Sequence, residues 1–133
     1  MRMRHHSEVS MHWKDLEVWK QAHSLVLGAY RLSNNFPECE RYRLTSQLCR
    51  AAVSVPANIV EGNARGSTKE YLQFLIMARG SLEETRYLTL LGNDLGYLNT
   101  SEYDQFEDRC GSVSRMLNGL LRALRSKGQR RLT

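Results

Sequence analysis

Apolar residues recur at helical spacing along most of this chain, and the breaks between the repeats divide it into four segments. Leu16, Trp19, His23, Val26 and Tyr30 form one seam, and Val18, Ala22, Leu25, Ala29 and Leu32 form its neighbour. Two adjacent seams predict a first helix with a broad apolar face, from Trp13 or Lys14 to Asn34. Asn34, Asn35, Phe36 and Pro37 close it, because proline disfavours helix at the residue before it. Leu44, Leu48, Ala52, Val55 and Ile59 line a second helix, from about Arg41 to Glu61. Pro56 inside it removes one donor and strands the Ala52 carbonyl, so a kink is expected, with Ser54 or Asn58 available to satisfy nearby backbone groups. Gly62 offers a helix stop, since a residue without Cβ enters the left-handed region at no steric cost.

Ser67 and Glu70 read as a capping box that starts a third helix at Thr68, running to about Asp94. Tyr71, Leu75, Ala78 and Leu82 line its first half, and Leu88, Leu91 and Leu95 its second. Gly96 fits a C-terminal cap. Asn99, Thr100 and Ser101 open a fourth helix, where Phe106, Cys110, Val113, Leu117, Leu120 and Leu124 give the cleanest amphipathic signal in the chain. Four helices, three short connections and no strand signal predict an all-α protein, an antiparallel up-down-up-down four-helix bundle over residues 12–126. Residues 1–11 lack periodicity and are expected to be a disordered leader, with Met11 an alternative start; residues 127–133 form a basic C-terminal tail.

Beside the apolar stripe of the second helix runs a polar one: Gln47, Arg50, Ser54, Asn58 and Glu61. A hairpin turning about residues 62–67 brings Asn58 near Leu72, Ser54 near Ile76, and Arg50 near Gly80 to Glu83. Arg50 then pairs with Glu83 or Glu84, and Glu61 with Arg65 or Lys69, while Gly80 and Ser81 let the two backbones approach. Buried polar groups are costly unless paired, so these residues are read as a structural network inside the bundle or across a subunit contact.

Charge adds a direction. The chain carries a net +5, yet residues 1–108 balance to −2. From Arg109 onward there are seven basic residues and no acidic one. Arg115, Arg122 and Arg125 fall near one outer edge of the fourth helix, and Lys127, Arg130 and Arg131 extend it. This is either a solvated face or a surface for a polyanion. Aromatic residues are absent after Phe106, so contacts to RNA or DNA would go to phosphates and tolerate sequence.

Candidate chemistry is sparse. The run from Gly62 to Lys69 has the wrong glycine spacing and lysine order for a phosphate-binding loop, although a helix start flanked by Arg65 and Lys69 could hold a phosphate; an ordinary capped turn is the plainer reading. The histidines show no metal spacing, and His23 reads as a hydrogen-bonded core residue. Glu83 and Glu84 are adjacent and point about 100° apart on a helix, so they cannot form an acid/base dyad. No catalytic residue, metal or cofactor is expected, and the chain is read as not an enzyme. Cys39, Cys49 and Cys110 form no CxxC pair and read as reduced thiols. With no signal peptide and no apolar run near the roughly 18 residues of a membrane span, a cytoplasmic location without membrane contact is expected.

Several stretches carry a family resemblance: Trp13 to Ala22, Phe36-Pro37-Glu38, Leu44 to Gly62, Arg65, and Ala78 to Glu84. Within them, Ser-Gln-x-x-Arg-Ala-x-x-Ser-x-Pro-x-Asn-Ile-x-Glu-Gly, from Ser46 to Gly62, is the most specific run. Together they resemble the proteins encoded by intervening sequences in large-subunit ribosomal RNA genes. Where the usual pattern has Ile-Ala after the asparagine, this chain has Ile59-Val60. The resemblance implies a closed four-helix bundle assembled as a homopentamer. The chain is also similar to the accessory protein of diversity-generating retroelements, which implies nucleic acid and a reverse transcriptase as partners. The expectation is thus a homo-oligomeric bundle that binds RNA or DNA backbones. The alternatives are a protein-interaction scaffold without nucleic acid, and a small-molecule-binding or enzymatic bundle with a cavity at Gln47, Arg50 and Asn58.

Overall fold

The computed structural model describes residues 11–132, with side chains as far as Gly128. Four helices make up most of it: α1 Glu17–Ser33, α2 Leu44–Ala64, α3 Thr68–Asp94 and α4 Thr100–Leu132. No strand occurs among the described residues. The helices close a cycle in which α1 packs on α2, α2 on α3, α3 on α4 and α4 on α1, with no diagonal pair in contact among the described residues. Cross-helix contacts give the directions. Ser54 meets Ser81 while Gly62 abuts Phe74; Arg79 meets Asn118 while Arg86 meets Glu107; Gly28 abuts Phe106 while Asn35 meets Glu102. Numbers rise on one helix as they fall on its neighbour, so these neighbours run antiparallel.

The α4 stripe is buried as the spacing predicts: Phe106, Cys110, Val113, Leu117, Leu120 and Leu124, joined by Leu121. Each such leucine, fully buried, stabilises by about 1.5–3 kcal/mol relative to exposure. On α2, Leu44, Leu48, Ala52, Val55 and Ile59 are all buried. On α1 only one of the two expected seams is wholly inside. Val18, Ala22, Leu25, Ala29 and Leu32 are buried, whereas Tyr30 is 50% exposed and His23 faces solvent. The core role expected for His23 is therefore corrected: its ring stacks flat on Trp19, centroids 5.2 Å apart, on the outside of the bundle. A short 3₁₀ turn, Trp13–Asp15, precedes α1, and extended backbone at the fully buried Leu16 separates the two. Upstream of it the Met11 carbonyl accepts from Asn63 Nδ2 at 2.9 Å; the rest of the expected leader, residues 1–10, lies outside the described residues.

The inward stripe of α3 is Tyr71, Leu75, Ala78, Leu82, Thr85, Leu88, Thr89 and Gly92. Two of these are threonines. Thr85 Oγ1 donates to the Ser81 carbonyl at 2.8 Å and Thr89 Oγ1 to the Thr85 carbonyl at 2.7 Å, so both bury without an unmet donor. Leu95, expected on the inner face, is half exposed.

Gly62 is a second correction. It does not end α2, which runs to Ala64. It is buried where α2 crosses α3, and a Cβ there would stand 2.7 Å from Phe74 Cβ and 3.0 Å from Tyr71 Cδ1. The glycine serves close approach, not a turn. Gly80, given that role by its small size, is exposed, and a Cβ at that position would meet nothing within 4 Å. The left-handed glycine is Gly96, φ +83°, where Tyr97 N–H donates to Gly92 and Gly96 N–H to Asn93, both at 3.0 Å. That is a Schellman stop. Pro56 is buried within α2, which continues through it, and Asn58 Nδ2 donates to the Ser54 carbonyl at 2.8 Å.

Two capped starts fix α3 and α4. Ser67 Oγ accepts from Glu70 N–H at 3.1 Å and donates to the Glu70 carboxylate, rather than the carboxylate reaching back to the backbone. Asn99 and Glu102 form the fully reciprocal box: Asn99 Oδ1 accepts from Glu102 N–H at 2.7 Å, and Glu102 Oε1 from Asn99 N–H at 3.2 Å.

Candidate nucleic-acid interface

The seam between α3 and α4 divides electrically into two halves. In the N-terminal part of α4, Arg86 Nε donates to Glu107 Oε2 at 3.1 Å, a second guanidinium nitrogen pairs with the same carboxylate, and Nη1 reaches Glu83 at 3.1 Å. The Glu107 hydrogen bond, with the charges of Glu107 and Glu83, holds the Arg86 guanidinium even more firmly protonated than usual. This half is neutralised.

Toward the C-terminus of α4 the carboxylates stop. Arg115, Arg122 and Arg125 are exposed, and Arg115 Nη2 rests on Ser112 Oγ at 3.1 Å. Helical side chains lean toward the N-terminus, and the guanidiniums of Arg115 and Arg122 accordingly lie near Gly111 and Gly119. Lys127 is half-buried, in a cleft with Arg65, Ser67, Thr68 and Tyr71 at the start of α3. Between Arg115 and Arg122 sits Asn118, whose Oδ1 accepts from Arg79 Nη1 at 3.1 Å. Arg79 therefore joins the row from α3. Sequence reading missed it, because only the α3–α4 register brings residue 79 to residue 118. Among the described residues none of Arg79, Arg115, Arg122, Arg125 and Lys127 forms an ion pair with a carboxylate. The side chains of Arg130 and Arg131 lie outside the described residues, although the helix continues through them. Cations in the last turns of a helix also complement its dipole, so the row has a structural benefit of its own.

The polar stripe of α2 lies elsewhere than expected. Gln47, Arg50 and Glu61 are exposed, and Ser54 and Asn58 are half-buried on the outer α2–α3 seam, so the placement inside the bundle is corrected. Ser54 Oγ meets Ser81 Oγ at 2.8 Å, and Asn58 Nδ2 reaches Ser54 Oγ at 3.0 Å. Ser54 thus faces Ser81, not Ile76. The register moved because α2 runs on past Gly62 and the chain reverses only at residues 65–67. Arg50 pairs with neither Glu83 nor Glu84: it is exposed, its Nη2 contacts Ser46 Oγ at 3.4 Å, Glu83 pairs with Arg86, and Glu84 is exposed. The Glu61–Arg65 pair does form, at 3.2 Å. Arg65 also approaches Glu70 at 4.0 Å and lies over the Phe74 ring, leaving the turn at Gly66 an ordinary capped one. Two clefts occur at Lys127 and between α1 and α4; neither is lined by Gln47, Arg50 or Asn58.

Among the described residues no cluster of His, Cys, Asp or Glu could hold a metal ion, and no helix is long and apolar enough to cross a membrane.

The fold recurs in a solved structure from Bacteroides thetaiotaomicron, described as a protein with unknown function from the S23 ribosomal protein family. It is 19% identical, superposes with a TM-score of 0.73, and the match covers 78% of this chain and 97% of that one. No curated protein matches the sequence. A family model described as 23S rRNA-intervening sequence protein matches residues 14–119, most of the bundle, and the chain belongs to that family.

Proposed function

We propose that this chain is a non-enzymatic, cytoplasmic, homo-oligomeric bundle that binds the sugar-phosphate backbone of RNA or DNA through Arg79, Arg115, Arg122, Arg125 and Lys127. One observation carries the reading: five cations gather along one half of a helix seam without carboxylate partners among the described residues, while the other half of that seam is neutralised. A guanidinium row of this kind contacts phosphates and reads no bases. Self-association is supported by the family resemblance, which implies a pentamer. The outer α2–α3 seam, with Ser54, Asn58, Ser81 and the exposed Met77, supplies a surface for it. Repetition of the row around an assembly multiplies weak contacts into avidity.

Filter binding of a generic RNA and a generic DNA duplex at two salt concentrations tests the reading. If four cations per chain meet phosphates, log K falls with log salt at a slope of about −3.6, roughly 150-fold between about 50 and 200 mM. Changing Arg115, Arg122 and Arg125 together to Gln removes about 2.7 of that slope. Absence of binding at low salt, or an unaltered slope in the triple variant, refutes the assignment. A partner that stays bound after nuclease treatment, in protein that ignores free nucleic acid, favours the scaffold alternative.

A further inference from the structure

The α1–α4 seam, on the other side of α4, holds a cleft of about 240 Å³. Its floor is apolar: Gly28, Leu32 and the Phe106 ring. Gly28 keeps it open, since a Cβ there would lie 3.6 Å from Phe106 Cδ1 and 3.2 Å from Arg109 Nη1. The walls are Arg31 on α1 and Arg109 and Gln105 on α4. Glu102 also lines the cleft, but its carboxylate is committed. Oε1 accepts the Asn99 cap amide at 3.2 Å and Oε2 accepts Asn35 Nδ2 at 3.0 Å. Neither Arg31 nor Arg109 forms an ion pair among the described residues. Two guanidiniums thus flank an apolar slot, with the nearby acid held by a helix cap.

We infer that this cleft binds a small oxyanion with a flat apolar body, its phosphate or carboxylate between Arg31 and Arg109 and its body over Gly28 and Phe106. Guanidiniums present paired donors matched to both oxyanions. The volume is below the 300–1,000 Å³ of drug-sized sites, so the ligand is a small one. This site is separate from the basic row and does not depend on it.

The test uses the full chain and phenyl phosphate as probe, followed by calorimetry and saturation-transfer NMR observed on the probe. Saturable binding at one site per chain is expected, with inorganic phosphate and benzyl alcohol each at least tenfold weaker on the same scale. A benzoate arm distinguishes the two oxyanions: tighter benzoate makes the natural ligand a carboxylate, weaker benzoate a phosphate ester. Arg31→Gln and Arg109→Gln should each weaken phenyl phosphate tenfold or more, while Arg115→Gln leaves it unchanged. Gly28→Ala keeps every charge and narrows the slot against the flexible end of Arg109, so it should weaken phenyl phosphate and spare inorganic phosphate. The inference is overturned by non-saturable binding, by inorganic phosphate binding as well as phenyl phosphate, or by folded Arg31 and Arg109 variants that bind like the parent.

Discussion

Replacing Gly62 with Ala tests the closest contact in the fold. The added methyl would stand 2.7 Å from Phe74 Cβ, 3.0 Å from Tyr71 Cδ1 and 3.3 Å from the Tyr71 carbonyl oxygen. Two of these three atoms are backbone or bound directly to it, so no rotamer change relieves them. α3 itself has to move off α2. Overpacking of this kind costs about 1–3 kcal/mol, and the better helix propensity of Ala offsets up to about 1 kcal/mol. A net loss of about 1–2 kcal/mol follows, which for a chain of this size lowers Tm by roughly 3–8 °C. Gly80→Ala is the matched control, in the same α2–α3 hairpin but with open space at its Cβ; it should gain about 0.5–1 kcal/mol. Thermal melts by far-UV circular dichroism at one fixed protein concentration separate the two, because assembly makes Tm concentration-dependent. A Gly62→Ala protein as stable as the parent, or one that gains stability as Gly80→Ala does, would show that the helices do not approach closely at residue 62.

Other perturbations read other parts of the bundle. Glu107→Gln leaves Arg86 with only the exposed Glu83 as ionic partner and should cost about 1–2 kcal/mol, measured by urea unfolding; a loss below about 0.3 kcal/mol denies the pair a structural role. Thiol titration should label exposed Cys39 first and Cys110 only on unfolding, because burial, aided by the Glu107 charge, pushes the Cys110 thiol up to about 12. That raised folded value stabilises fully below the unfolded thiol range and is lost as pH climbs through about 12, so alkaline unfolding should shift upward in Cys110→Ala. The Tyr97 phenol, raised chiefly by donating to Glu40 at 2.8 Å, adds to the same alkaline loss; Tyr97→Phe should blunt it. An alkaline transition identical in parent and both variants rules these groups out as its source.

Apolar periodicity made the four helices and most of the core legible, because burying one face is the same demand wherever a helix packs. What the chain order hid was relational. A glycine that admits a neighbouring backbone and one that enters the left-handed region look alike in sequence, so Gly62 read as a stop. The continuation of α2 to Ala64 shifted the α2–α3 register so that Ser54 meets Ser81, while Arg50 stays exposed and Glu83 pairs with Arg86 instead. Thr85 and Thr89 are polar and so gave no apolar signal, yet each satisfies its hydroxyl on its own helix and sits in the core. The α4 charge excess was readable because segregation of charge is one-dimensional. That its arginines lack carboxylate partners among the described residues, that Arg79 joins them, and that Arg31 and Arg109 line one cleft all required helices to be set side by side.

Asn118→Asp separates electrostatics from folding. Most substitutions that weaken binding by loosening a protein also lower its Tm. This one should do the reverse. Asn118 already accepts from Arg79 at 3.1 Å, so a carboxylate there turns a neutral acceptor into an ionic one. Asn and Asp have similar helix propensity, and a partly exposed pair adds about 0.2–1 kcal/mol. The new charge also sits three residues after Arg115 and four before Arg122, within reach of both along the helix. The row loses one unit of net charge, and up to two of its cations gain a competing partner. The salt slope should therefore fall by about 0.9–1.8, and low-salt affinity by at least about tenfold. A carboxylate that raises Tm yet leaves RNA and DNA binding untouched places the phosphate contacts on some other surface.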